Sequence, residues 1–222
     1  MEINKSDLRL DYFLDKERPL YQHPKHFHFN TDTKLLANFC AIRKGERILD
    51  IGCNNGALLY ACDQYDVKEL VGVEIFDEAC LIARYNVEHF FKHPTKIVCC
   101  RVQEYQDEPF DVIISNPPYF KVDATHPDIS MDPRQNGRVE VHLTLEELIR
   151  NASRLLKSNG RFYFVHRPNR FNDICKVLYK YHFQIQSMQV AYDQNVAKSL
   201  LIEARKESGC DCKILQPYFI KR

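Results

Sequence analysis

The chain has 222 residues, 45% hydrophobic and 27% charged, with a formal net charge of +1. That suffices for one medium domain with a sizeable core, and it argues against a strongly basic nucleic-acid binder. No apolar stretch approaches the length that crosses a bilayer. Met1-Glu2-Ile3-Asn4-Lys5-Ser6-Asp7 mixes acids and bases ahead of any apolar segment, so neither a membrane span nor a signal peptide is expected and the cytoplasm is the expected compartment.

In chain order, residues 1–30 carry no sustained periodicity and hold Pro19 and Pro24, which reads as an extended N-terminal arm with a short helix at most. The domain proper is expected over 31–222. Thr31 or Asp32 caps a helix with Leu35, Leu36 and Phe39 on its apolar face. Strand 47–52, helix 56–65, strand 69–74, helix 77–91, strand 96–101 and strand 110–115 follow. Strands alternating with helices of this length imply a doubly wound α/β sheet covered on both faces. The stretch 116–142 has no convincing period and reads as a long loop beside the site. Thr144-Leu145-Glu146-Glu147 is a capping-box pattern that opens a helix burying Leu148, Ile149, Ala152, Leu155 and Leu156, stopped by Asn159-Gly160. Strand 161–166, helix 170–180 and strands near 183–192 and 199–205 complete the chain. The last two are joined too briefly for a crossover and should pair antiparallel.

The nine cysteines are odd in number and irregular in spacing. Cys40, Cys62, Cys80, Cys99, Cys100 and Cys175 sit in apolar patterns and read as small core hydrophobes. Cys210 and Cys212 have no nearby partner pair, and His23, His26 and His28 have no carboxylate or cysteine at ligand spacing, so no metal is expected. Between Arg150 and Lys180 come Arg154, Lys157, Arg161, Arg167, Arg170 and Lys176 against a single acid, Asp173. A run this one-sided suggests a phosphate-facing surface.

Two apolar strands end in chemically distinctive loops. The first, Arg47 to Gly52, opens into Cys53-Asn54-Asn55-Gly56, giving Asp-X-Gly-X-Asn-X-Gly from Asp50. Gly52 and Gly56 suit close backbone approach to a ligand, and Asn54 tolerates the left-handed region better than other non-glycine residues. Glu74 ends the next strand, where an acid can accept two ribose hydroxyls. The dinucleotide spacing Gly-X-Gly-X-X-Gly is absent. The second distinctive loop is Asn116-Pro117-Pro118-Tyr119, after Phe110 to Ser115. The side-chain carbonyl of Asn116 and the backbone carbonyl of Pro117 can accept both N–H groups of a planar amine, aligning its nitrogen with a methyl–sulfonium bond. The prolines stiffen these acceptors, and Tyr119 offers a face for stacking a base. In this order the two motifs read as an S-adenosylmethionine enzyme that methylates an amino group, with Asp50, Gly52, Asn54, Gly56, Glu74 and Asn116 on the cofactor.

At these residues the chain resembles the bacterial tRNA1(Val) adenine-37 methyltransferase group of class I methyltransferases. The likeness takes in Phe27-His28-Phe29-Asn30-Thr31-Asp32, Leu35-Leu36-Ala37, Val73-Glu74-Ile75, and Asn116 to Phe120 with Arg138 and Glu140 beyond it. It continues through Val165-His166-Arg167-Pro168 and Leu200-Leu201-Ile202-Glu203-Ala204-Arg205-Lys206. It implies a Rossmann-like seven-stranded sheet of order 3-2-1-4-5-7-6 with the last strand antiparallel, and transfer to N6 of an adenine beside the anticodon. Asn54 stands where the group has a glycine, and Gln103, followed by Glu104, where it commonly has an acid; the resemblance implies Ile75 and Gln103 on the cofactor, with Glu104 the alternative to Gln103 at its adenine. The expected partner is a tRNA anticodon stem-loop, held by Lys16, Arg18, Lys25, Arg150, Arg154, Arg167 and Arg170, with the protein a monomer or weak dimer. A glutamine N5-methyltransferase of release factors uses the same tetrapeptide, but too little chain precedes Asp50 for its helical substrate domain. A DNA adenine methyltransferase would need a larger insertion than 116–142. A non-catalytic RNA-binding module would not need Asp50, Gly52, Glu74 and Asn116 intact.

Overall fold

The computed structural model describes residues 5–24, 28–117 and 143–221. Its centre is a sheet of nine strands: β3 (Arg47–Ile51), β4 (Glu69–Glu74), β5 (Thr95–Cys99), β6 (Phe110–Ser115), β7 (Leu156–His166), β8 (Phe183–Asp193), β9 (Val196–Lys206), β10 (Lys213–Ile214) and β11 (Tyr218–Phe219). The long strands lie in the order β8-β9-β7-β6-β3-β4-β5. Among the described strands of this sheet only β9 runs against its neighbours, and β10 and β11 extend the outer edge of β8 in parallel. The sheet therefore exceeds the expected seven strands by two short ones, which lie beyond the last periodic segment.

Alternate residues of the inner strands face opposite layers, as the two-residue strand period requires. Ile48, Val112, Ile114, Tyr163 and Val165 join one apolar cluster, with α1 (Thr31–Phe39), α2 (Ala57–Cys62) and α3 (Asp77–Phe90). Leu49, Ile51, Ile113, Phe162 and Phe164 join the other, with α4 (Leu145–Leu155) and α5 (Phe171–Lys180). Burial on both faces explains why these strands read as continuous apolar runs.

Several expectations are corrected. The cap of α1 is Asn30, not Thr31 or Asp32; its side chain takes the backbone N–H of Thr33 at 3.1 Å, and the Thr33 hydroxyl returns to the Asn30 N–H at 3.2 Å. Helix α4 does open on the Thr144–Glu147 box, but it stops at Leu155. Leu156 already pairs with Phe110 in the sheet, and the register slips before Arg161 joins Val112. The extended arm is instead a hairpin, β1 (Arg9–Tyr12) against β2 (Pro19–Gln22), after a single 3₁₀ turn at Lys5–Asp7.

The hairpin is part of the core. Phe13 and Leu20 are fully buried in the α1–α3 layer. Asn86 of α3 accepts the Tyr21 N–H at 2.8 Å and donates to the carbonyls of Tyr21 (3.0 Å) and Asn55 (2.9 Å). One buried amide thus joins the hairpin to the loop after β3. Its polar groups are satisfied by backbone on two elements distant in sequence, which local periodicity does not reveal. Leu20→Ala should lower the free energy of unfolding by about 2–5 kcal/mol, as for a core leucine. Urea denaturation measures it, and a loss below about 0.5 kcal/mol, the surface range, would return the segment to a loose arm.

Candidate active site

All the parallel strands end at one edge, where ligands bind in open α/β sheets. Neighbouring β3 and β6 pair Asp50 with Ile114, and the Ser115 hydroxyl donates to the Ile51 carbonyl at 2.8 Å. Asn116 therefore leaves the sheet beside Gly52. The loop after β3 and the start of the tetrapeptide, far apart in sequence, become adjacent.

The loop is built on special backbone. Gly52 has φ 77° with open space where a side chain would project, and Gly56 begins α2 at φ 84°. Asn54 adopts φ 47°, the left-handed conformation for which an asparagine is suited. Under the loop, Gly72 of β4 is a residue that sequence reasoning missed. A Cβ there would lie 2.6 Å from Cys53 Sγ and 2.9 Å from both Leu59 Cδ1 and Ile97 Cδ1, so a side chain would push these buried neighbours aside. A glycine inside an apolar strand was the available signal.

Glu74 ends β4, almost fully buried. Its carboxylate accepts the N–H groups of Asn54 (2.9 Å), Ile75 (2.8 Å) and Phe76 (3.1 Å). Burial pushes its pKa up, and the three N–H donors pull it back. Asp50 is different. It is 1% exposed, and among the described residues neither carboxylate oxygen has a hydrogen-bond partner. Burial, then the charge of Glu74, raises its pKa well above the ordinary carboxyl value. A buried acceptor without donors is costly, and a ligand that carries donors would offset that cost.

On the other side, Asn116 is half-buried, and its Nδ2 donates to Thr33 Oγ1 at 3.0 Å. Pro117 is buried next to it. Pro118 and Tyr119 lie outside the described residues, as do most of the expected loop 116–142, including Arg138 and Glu140. The Gln103 amide, half-buried, donates to Glu147 Oε1 at 3.3 Å, while Glu104 is exposed.

The basic residues have varied fates. Lys16, at the hairpin turn, and Arg150, on α4, are exposed. Arg154 is exposed but donates to the carbonyl of Val102 at 3.0 Å. Arg18 pairs with Asp15 at 3.1 Å, and Arg170 with Asp173 at 3.0 Å. Arg167 pairs with buried Asp32 at 3.1 Å and donates to the Lys198 carbonyl at 2.8 Å. Arg161 is buried against Glu46, so the one-sided run does not form a single solvated face. Lys25 lies outside the described residues. Burial and the charge of Arg170 lower the pKa of His166 to about 4, keeping it neutral near pH 7. Among the described residues no group of histidine, cysteine and acid side chains could hold a metal, and no helix is long and apolar enough to cross a membrane.

A glycine loop at the end of the first long strand, a mostly parallel sheet and one antiparallel strand near the edge define the Rossmann-like class I methyltransferase fold. The family description "Methyltransferase small domain" matches residues 25–195, and the chain belongs to that family. Among curated relatives, the tRNA1(Val) (adenine(37)-N6)-methyltransferase of Bacteroides thetaiotaomicron is 35% identical over 139 residues, 61% of this chain and 57% of that protein. The protein of the same description from Dyadobacter fermentans is 35% identical over 135 residues, 60% of this chain and 55% of that one. The chain thus spans a little over half the length of the curated relatives it matches. Of solved structures, a predicted O-methyltransferase from Agrobacterium tumefaciens superposes with TM-score 0.67 at 21% identity, covering 85% of this chain and 87% of that one. The ribosomal protein L11 methylase of Lactobacillus delbrueckii subsp. bulgaricus gives 0.61 at 19%, covering 83% of each.

The residues present fit S-adenosylmethionine, which this fold implies. The cofactor carries an ammonium and ribose hydroxyls, donors that Asp50 lacks among the described residues, and open Gly52 leaves room beside it. Because the folded-state pKa of Asp50 is raised, the folded protein keeps a proton there that the unfolded chain releases. That contribution to stability is present in acid and is lost as pH rises. Asp50→Asn should therefore raise the thermal midpoint at neutral pH. The gain should shrink toward acid, where wild-type Asp50 is protonated, and affinity for S-adenosylmethionine should fall. Thermal scans across pH together with calorimetry check this, and a destabilised variant with unchanged cofactor affinity would contradict it.

Proposed function

We propose that the protein transfers a methyl group from S-adenosylmethionine to the exocyclic N6 amine of an adenine in tRNA, at position 37 beside the anticodon of a tRNA1(Val)-type substrate. The observation that carries this reading is the adjacency of Asn116-Pro117 to Gly52 at the ends of paired strands. It sets two carbonyl acceptors for an amine next to the loop suited to a methyl donor. The names of the curated relatives supply the substrate class.

S-adenosylmethionine supplies an activated methyl group on a sulfonium. Asp50, Gly52, Asn54, Gly56, Glu74, Ile75 and Gln103 line its side in this reading, Glu74 also keeping Asn54 and Ile75 in place. Asn116 Oδ1 and the Pro117 carbonyl accept the two amine N–H groups, which favours localising the nitrogen lone pair toward the methyl group. The ring of Tyr119 stacks the base, and Pro118 stiffens the turn. An unpaired loop adenine costs little to unstack, so phosphate contacts can position the folded RNA. Lys16, Arg18, Lys25, Arg150, Arg154, Arg167 and Arg170 are the proposed contacts. Lys16 and Arg150 are the cleanest of these to test, because Arg167, Arg170 and Arg18 also hold internal partners. The reading places a monomer or weak dimer in the cytoplasm.

The direct test is methylation of total tRNA from a strain lacking the gene, followed by nucleoside mapping; methyl transfer to release-factor glutamine instead would overturn the substrate. Asn116→Ala should abolish transfer through kcat, by about 2.7–4 kcal/mol if it resembles loss of one oxyanion-hole donor, with cofactor affinity within a few fold. Near-wild-type turnover would refute the role. Lys16→Glu and Arg150→Glu together should weaken tRNA binding and flatten its salt dependence, by roughly 0.7–0.9 in log–log slope for each phosphate no longer neutralised. Filter binding across a salt series measures this, and an unchanged slope would remove both residues from the interface.

A further inference from the structure

Nothing in the local sequence marks Thr33 beyond its place in the first turn of α1. It is 5% exposed, and its hydroxyl oxygen has three neighbours: Asn116 Nδ2 at 3.0 Å, the backbone nitrogen of Asn30 at 3.2 Å and Asn30 Oδ1 at 3.2 Å. A threonine hydroxyl has one proton and two acceptor lone pairs. Asn30 Oδ1 takes the proton. The lone pairs accept the Asn30 N–H and the Asn116 Nδ2–H, so the hydroxyl is fully used.

The consequence falls on Asn116. An asparagine amide has a donor end and an acceptor end of nearly identical shape, and only its partners decide which faces where. With its proton on Asn30 Oδ1, Thr33 offers Asn116 an acceptor, and the reverse flip would have to draw that proton away from Asn30. The NH₂ end turns to Thr33, and Oδ1 takes the opposite side. In the reverse flip, an approaching amine would meet NH₂, donor against donor.

The helix turn that carries Thr33 is itself anchored. Asp32 accepts the Ser199 hydroxyl and pairs with Arg167 at 3.1 Å, tying α1 to β9 and to the end of β7. The hydroxyl is therefore held on a rigid element at a fixed distance from Asn116.

We propose that Thr33 is a positioning residue for amino-group methylation, holding the Asn116 amide in the flip that presents Oδ1 to the incoming amine. This rests on the reading of Asn116 as the acceptor of the substrate amine. Thr33 touches neither substrate nor cofactor in this role. It removes the unproductive flip before the substrate arrives, an effect that appears in kcat.

The test uses the full chain, with methyl transfer into tRNA lacking the modification and cofactor affinity from calorimetry. Thr33→Val keeps the shape and removes the hydroxyl, and should lower kcat about three- to ten-fold, the range one neutral hydrogen bond supplies. The dissociation constant for S-adenosylmethionine and the KM for tRNA should stay within about twofold, the scatter of one weak interaction. Thr33→Ser keeps the hydroxyl and should restore kcat. Should Thr33→Val fail to fold, Thr33→Ala carries the same expectation, assayed well below its thermal midpoint. Wild-type kcat in the hydroxyl-free variant, or a Thr33→Ser variant as slow as Thr33→Val, would overturn the proposal. Asn116→Ala in the same assay separates two failures. If it is inactive while Thr33→Val is fully active, only the positioning role falls; if it is active, the reading of Asn116 falls with it.

Discussion

The carboxylate of Glu74 is the constraint from which the rest of the site follows. Buried at the end of β4, it collects N–H groups from Asn54, Ile75 and Phe76. Those amides belong to a left-handed turn and a strand end, where no ladder partner is at hand. A buried acid with three such donors fixes the loop after β3 against its neighbouring strand. Loop geometry in turn leaves Gly52 open and Asp50 buried without donors. Glu74 thus holds three backbone donors and Asp50 none among the described residues, although both are buried acids at the same end of the sheet. Their environments differ, because three hydrogen bonds offset the burial of Glu74 and, among the described residues, none offsets that of Asp50.

Positive charge is divided in the same way. The net charge is only +1, and many of the arginines hold the fold together. Arg161 reaches Glu46 and Arg167 reaches Asp32, each joining segments far apart in the chain. Such buried or half-buried pairs bring geometry more than stability, since desolvation offsets much of their attraction. At Arg167 the geometry gained is the placement of α1, and through Thr33 that placement reaches Asn116. The surface left for a polyanion is smaller than the count of basic residues suggests.

Much of the fold was legible because it is written in local patterns. Alternation and length marked the inner strands, the Thr144–Glu147 box marked the start of α4, and glycine with asparagine marked the turn after β3. Errors fell where a partner outside the segment decides. Leu156 fits the apolar face of α4 by period, yet it pairs with Phe110 in the sheet. The first thirty residues have no period because hairpin strands of four residues are too short to show one, and their burial depends on Asn86 and the α1–α3 layer. The short strands β10 and β11 likewise exist only because β8 presents an open edge.

The sequence by itself determined the class of fold, the loop from Asp50 to Gly56, the acid at Glu74 and the place of Asn116-Pro117 after a buried strand. Each is a statement about residue type and spacing within one strand and its following turn. Only the tertiary structure decided that Thr33 meets Asn116, that Gly72 lies under Cys53, and that Arg167 is committed to Asp32. The reason is physical. A hydrogen bond or a close approach between segments depends on which strand ends share an edge and which helix face turns toward it, and those are properties of the packed sheet and not of any one stretch of chain.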